Sequence, residues 1–241
     1  MKTTLNQFFE YAQDVIGIFY PRLCLACESS LPYREKHLCF DCQLNLPKTD
    51  FHKEKNNDFT NRFVGRVPLH SAAAMFFFAK ESRVQTLIHQ IKYEGKHEVA
   101  TELGRIYGEI LRQSPNFVTC DCIVPVPMHP KKQHVRGYNQ AEKIGEGLAE
   151  VLHIPLEINL LQKNKQTESQ TKKTKIERLK NAEDVFSINE KRKNSIASRH
   201  FLLVDDVLTT GATLESCAIA LLGGIPDATI SAVTLAFAKS Y

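Results

Sequence analysis

The sequence predicts an α/β fold, a mostly parallel sheet flanked by helices, preceded by a small module built on four cysteines. Three observations carry this. Short runs of strand character (71–79, 122–127, 201–204 and 229–238) alternate with stretches of helical periodicity. One of these runs ends in two adjacent carboxylates and a turn of small residues, from Asp205 to Thr213. Two Cys-x-x-Cys pairs stand close together near the N-terminus.

The 241 residues suffice for one sizeable α/β domain and a small appendage. A hydrophobic share of 43% and a charged share of 24% are ordinary for a soluble globular protein, and a net charge of +4 points to no partner by itself. No apolar run approaches the ~18 residues of a membrane helix. Glu10 and Asp14 interrupt the N-terminus, and no cleavage site follows, so no signal peptide is expected. The expected location is cytoplasmic.

Residues 1–50 are expected to form an N-terminal helix and a zinc-ribbon-like module. Leu5, Phe8, Phe9, Ala12, Val15, Ile16 and Phe19 make one apolar helix face that Pro21 ends. Its polar face lacks Lys and Arg, which favours packing on a neighbouring domain over lying on a membrane surface. Cys24 and Cys27 are followed, after eleven residues, by Cys39 and Cys42. Four thiolates can close the tetrahedron that structural zinc prefers and leave no open position for catalysis. Two disulfides are the alternative, with nothing pointing to an oxidising compartment. His37 reads as a bystander. The polar stretch 48–66 reads as a linker, which puts the domain boundaries at 51–70 for the linker and 71–241 for the core.

Within the core, Val84, Leu87, Ile88 and Ile91 form a helical stripe ending near Lys92, and a second helix is expected from His97 to Leu111. Lys92 reads equally well as a surface lysine. The strand 122–127 should stop at its prolines, Pro125 and Pro127. Residues 128–137 then carry His129, Lys131, Lys132, His134 and Arg136 without an acid. A cationic loop at the end of a parallel strand is where an open α/β sheet binds anions. A helix from Tyr138 to Leu152 should follow. Cys120 and Cys122 are expected on one strand face and, with Cys217, as small core residues.

The richest segment is Phe201 to Leu214. An apolar strand, Phe201 to Val204, runs into Asp205 and Asp206. Thr209, Thr210, Gly211, Ala212 and Thr213 then open a helical pattern. Backbone N–H groups, hydroxyls and a helix N-terminus converge at such a turn and suit a phosphate. Two carboxylates would repel that phosphate but accept hydrogen bonds from sugar hydroxyls beside it. Together they describe a ribose 5-phosphate site.

These fourteen residues resemble the phosphoribosyl-pyrophosphate (PRPP) signature of type I phosphoribosyltransferases. The resemblance implies that Asp205 and Asp206 take the 2′ and 3′ hydroxyls, that residues 209–213 cradle the 5-phosphate, and that pyrophosphate, with Mg²⁺, is the remaining anion. Over nearly the whole chain the sequence resembles the ComF family. The four cysteines, Val124-Pro125-Val126-Pro127, Arg136-Gly137-Tyr138-Asn139-Gln140-Ala141 and the segment 205–213 stand in that family's order. The resemblance implies a type I phosphoribosyltransferase-like core, PRPP contacts at Val126, Pro127 and His129, and catalytic roles for Asp205, Asp206, Arg136 and Arg178. It also implies a link to bacterial competence and to single-stranded DNA or DNA-processing proteins.

From Lys163 to Arg199 there are 11 Lys and Arg against 5 Asp and Glu, so the basic charge is localised. In type I transferases a hood closes over PRPP from this place in the chain. A mobile basic loop would exclude water and neutralise pyrophosphate. Arg178 and Asn181 match the family motif. A solvated linker and a nucleic-acid track are the other readings, the latter weakened because Phe186 is the segment's one aromatic. Thr209 stands where transferases for 6-oxopurines carry an aspartate, which puts hypoxanthine and guanine in doubt. Three functions remain open: phosphoribosyl transfer to an unidentified acceptor, PRPP sensing without turnover, and single-stranded DNA binding.

Overall fold

The computed structural model describes residues 22–32, 35–93, 95–164 and 185–239. The expected helix at 1–20 and the motif residues Arg178 and Asn181 lie outside them.

The sheet is built from β1 (Ser71–Phe78), β2 (Cys122–Pro125), β5 (His200–Leu208) and β6 (Thr229–Ala238), in the order β1-β6-β5-β2, and every pairing is parallel. Parallel strands need crossovers, and helices supply them. After β1 come α3 (Arg83–Tyr93) and α4 (His97–Arg112), and after β2 come α5 (Pro130–Arg136) and α6 (Gln140–Leu152). α8 (Ala212–Gly224) joins β5 to β6. This is the expected α/β class.

Both faces of the sheet are covered, as an all-parallel sheet requires. One layer packs Leu202, Val204, Val233 and Leu235 against α3, α4 and the cysteine module. The other packs Phe201, Leu203 and Ala232 against α8 and the residues around Phe59 and Phe63. Alternating side chains of β5 thus serve opposite layers. The stripe that predicts α3, Val84, Leu87, Ile88 and Ile91, is buried throughout. α4 and α6 approach so closely at Gly147 that a Cβ there would meet Thr101 O at 2.0 Å.

Residues 47–49 lie along the outer edge of β1, with Phe77 N donating to Pro47 O (2.8 Å) and Thr49 N to Met75 O (3.2 Å). At the other edge, Ile123 N donates to Pro155 O and Glu157 N to Ile123 O. Short β3 (Leu161–Lys163) and β4 (Phe186–Ile188) pair antiparallel and set Lys163, where the basic segment begins, opposite Phe186 within it. α7 (Glu190–Lys193) follows.

Three expectations are corrected. The stretch read as a linker folds onto the sheet. After α1 (Phe40–Asn45), which ends the cysteine module, it forms a 3-10 turn (Phe51–Lys53) and α2 (Asp58–Asn61). Asn57 begins α2 with a reciprocal cap to Thr60 and donates to Ala72 O at 2.9 Å, while Phe59 and Phe63 are fully buried. Residues 130–136 are a helix rather than a loop, with Pro130 in the first turn where its missing N–H costs nothing. Cys120 precedes β2 and packs in the opposite layer from Cys122, although both are buried.

Candidate functional site

β5 lies between β6 and β2 and runs through the acid pair to Leu208, so Asp205 and Asp206 sit on the strand rather than after it. Asp205 accepts from the Asp206 amide at 2.8 Å. Burial, and then the neighbouring Asp206 charge, push its pKa up to about 7. Asp206 Oδ2 lies 3.0 Å from Lys92 Nζ in the last turn of α3. One carboxyl is therefore drawn toward its neutral form and the next is paired with a cation.

Beyond Leu208 the chain bends through Thr209 and Thr210 to Gly211, which caps α8 in the left-handed conformation (φ 81°) without a side-chain hydrogen bond. Only a residue without Cβ takes that conformation at no steric cost. The first-turn N–H groups of this helix have no intrahelical partners, and Ala212 N reaches Thr210 Oγ1 only at 3.4 Å. Thr209, Thr210, Ala212 and Thr213 are exposed. The turn offers amides, hydroxyls and a helix dipole to an anion.

The register Pro125↔Val204 brings the end of β2 alongside the acid pair. Val126, however, faces the core. It is 7% exposed, its N–H donates to Val204 O (2.9 Å), and its carbonyl accepts from Asn139 Nδ2 (3.0 Å). It shapes the site without a free polar group to offer a ligand. Pro127 and His129 are half-buried at the mouth. His129 caps α5, accepting from Lys131 N at 3.2 Å. Arg136 donates to Gln140 Oε1 (3.1 Å) and lies over the Tyr93 ring, 5.1 Å from its centroid. Within 136–141, Gly137 ends α5, the Tyr138 hydroxyl donates to Ile91 O, and Asn139 caps α6 while holding Val126.

Adjacent residues Lys92 and Tyr93 join the two halves of the site, one reaching the acid pair and the other Arg136. Tyr93 was not a sequence candidate. Its signal is position, two residues past Ile91, where the apolar stripe of α3 stops.

At the N-terminal module the sulfurs of Cys24, Cys27, Cys39 and Cys42 all lie within 4.8 Å of one another. A tetrahedral zinc with Zn–S about 2.3 Å separates its sulfurs by roughly 3.8 Å, so the four residues fit the ion. Cys27 and Cys39 are 3.6 Å apart, far beyond the ~2.05 Å of a disulfide. The Ser29 hydrogen bond draws the Cys27 thiol down to about 6, whereas burial pushes Cys42 well up. A divalent cation would offset the cost of ionising Cys42. Among the described residues no helix is long and apolar enough to cross a membrane.

The chain is 38% identical over 236 residues to Competence protein ComFC of Bacillus subtilis, covering 94% of this chain and 91% of that protein. The chain belongs to the ComF family. Competence protein F of Haemophilus influenzae is 26% identical over 82% of this chain and 89% of its own length. DNA utilization protein YhgH of Escherichia coli is 30% identical over 56% of this chain and 60% of its own length. No family model matches. Among solved structures, this ComF-family chain is similar to adenine phosphoribosyltransferase of Leishmania tarentolae (TM-score 0.33, 17% identity, 58% of this chain and 71% of that one). It is also similar to the enzyme of Leishmania donovani (TM-score 0.36, 16% identity, 76% and 81%).

Proposed function

We propose that the chain binds PRPP with Mg²⁺ at the C-terminal ends of β2 and β5 and transfers its phosphoribosyl group to a nitrogen acceptor. The observation that carries this reading is one strand end, where a carboxylate pair leads within a few residues into a helix N-terminus whose glycine cap makes no side-chain hydrogen bond. Hydroxyl acceptors and an anion cup are thereby held side by side.

In this reading residues 209–213 surround the 5-phosphate. Asp205 and Asp206 accept from the 2′ and 3′ hydroxyls, and Arg136, with the mouth formed by Pro127 and His129, faces the pyrophosphate. Arg178, matched through the family motif, would close from the basic segment. The C1–oxygen bond to pyrophosphate breaks, a C1–nitrogen bond forms, and the acceptor loses its proton. Mg²⁺ supplies charge neutralisation to the leaving pyrophosphate. The protein contributes positioning and electrostatic stabilisation and forms no covalent bond. The four cysteines hold a structural zinc.

Calorimetric titration with PRPP and Mg²⁺ tests this. Saturable binding is expected, with loss in the Asp205→Asn/Asp206→Asn variant. Unchanged affinity in that variant would end the ribose assignment. Binding without pyrophosphate release in the presence of acceptors would make the protein a PRPP sensor.

The names of the relatives, competence proteins and a DNA utilization protein, favour a role linked to DNA uptake. Salt-dependent binding of a single-stranded oligonucleotide, lost on zinc removal, is the expected sign of direct contact.

A further inference from the structure

The phosphate-cup turn is held from behind by residues that lie far away in sequence. Arg62, which ends α2, donates to Thr209 O and, through Nη2, to Ala238 O at 2.9 Å. Arg66 Nη1 donates to Thr210 O at 2.9 Å, and its Nη2 pairs with Glu215 in the first turn of α8. The Phe63 ring lies so close beneath Gly211 that a Cβ there would sit 2.8 Å from its Cζ.

A trans peptide is planar, and its carbonyl points opposite to the N–H of the next residue. With the Thr209 carbonyl fixed on Arg62, the Thr210 N–H points away from it. With the Thr210 carbonyl fixed on Arg66, the Gly211 N–H does likewise. Glu215 adds a second effect, because a carboxylate in the first turn of α8 would repel an anion bound there. Its partner Arg66 cancels that charge.

We propose that Arg62 and Arg66 are positioning residues of the phosphate turn. They orient the Thr210 and Gly211 N–H groups toward the 5-phosphate, and Arg66 masks Glu215. The ligand half of this inference rests on the phosphoribosyl reading above. The conformational half does not.

The test uses the full chain as Arg62→Met, Arg66→Met and Arg66→Met/Glu215→Gln. Amide exchange in the ligand-free protein is the first readout. In the single variants residues 215–217, whose amides bond within the first turns of α8, should exchange about tenfold faster, with residues 201–204 unchanged. Calorimetry is the second. PRPP with Mg²⁺ should bind ~10–100-fold more weakly to Arg66→Met, as expected for lost charge-assisted bonds, and pyrophosphate alone should bind as before. Adding Glu215→Gln should restore part of the PRPP loss, which a merely structural role for Arg66 would not produce. Unchanged exchange at 215–217 overturns the inference. So does an equal loss for both ligands without recovery. Should the unaltered chain bind no PRPP, the phosphoribosyl reading falls with the ligand half, and exchange alone decides whether the arginines set the turn.

Discussion

Lys92 Nζ lies 3.0 Å from Asp206 Oδ2, and the two side chains are only 23% and 15% exposed. The pair stands between a surface ion pair, worth little, and a buried one, whose breakage leaves an uncompensated charge. Lys92→Met should therefore destabilise the fold by about 1–3 kcal/mol, more than Asp206→Asn does. Combining the two changes should recover part of the loss. Urea denaturation of the four proteins checks this, and additive losses would show that the pair is not coupled.

Asp205 makes the site costly to keep ionised. Its folded pKa, about 7, lies above the ~3.9 of an unfolded aspartate, so its protonated form favours the fold. That contribution is complete below the unfolded value and disappears as pH rises through 7. Asp205→Asn should flatten stability across this window and raise the melting temperature at pH 8, by about 2–4 °C for each kcal/mol recovered. Thermal scans at pH 5 and pH 8 decide it. An unchanged difference between the two pH values would remove Asp205 as the source.

His200 acts in the opposite sense at the other end of the sheet. It is 8% exposed, lies within 2.9 Å of both Thr119 Oγ1 and Ser231 Oγ, and meets His70 at 4.8 Å between ring centroids. Burial, then the neighbouring His70, lower its pKa. Its contribution is complete above the unfolded value of ~6.5 and lost as pH falls through the lower folded one. His200→Gln should weaken the acid-side decline in stability, as pH-dependent chemical denaturation would show.

Cys24 and Cys42 are fully buried in the same layer as α3 and α4. Cys24→Ser should lower zinc content from about one ion per chain to near zero by metal analysis and lower the melting temperature, with the sheet still folded. Stoichiometric zinc in that variant would contradict a four-thiolate site.

Periodicity made the layers legible. The stripe from Val84 to Ile91 declares a helical period, and the near-continuous apolar runs at 71–78 and 229–238 have the length of strands buried on both faces. The polar stretch around α2 hides its role, because Phe59, Phe63 and Val67 are its only fully buried apolar residues and Lys and Asn dominate its surface. The Asn57-x-x-Thr60 cap was the readable sign of a helix there. In the site, the acid pair and the glycine turn declare themselves by adjacency in sequence. Lys92, Tyr93, Arg62 and Arg66 act across the fold, and only their placement on packed helices and turns brings them to it.

The strips of chain along both outer strands restrict how this protein can meet others. Among the described residues, 47–49 pair with Met75 to Phe77 of β1 and 155–157 with Ile123 of β2, so backbone there is taken and cannot template an added strand. Over these stretches a partner cannot be recruited simply by extending the sheet. It must read side chains, which makes recognition depend on sequence and leaves crowded copies of the chain little means of stacking edge to edge.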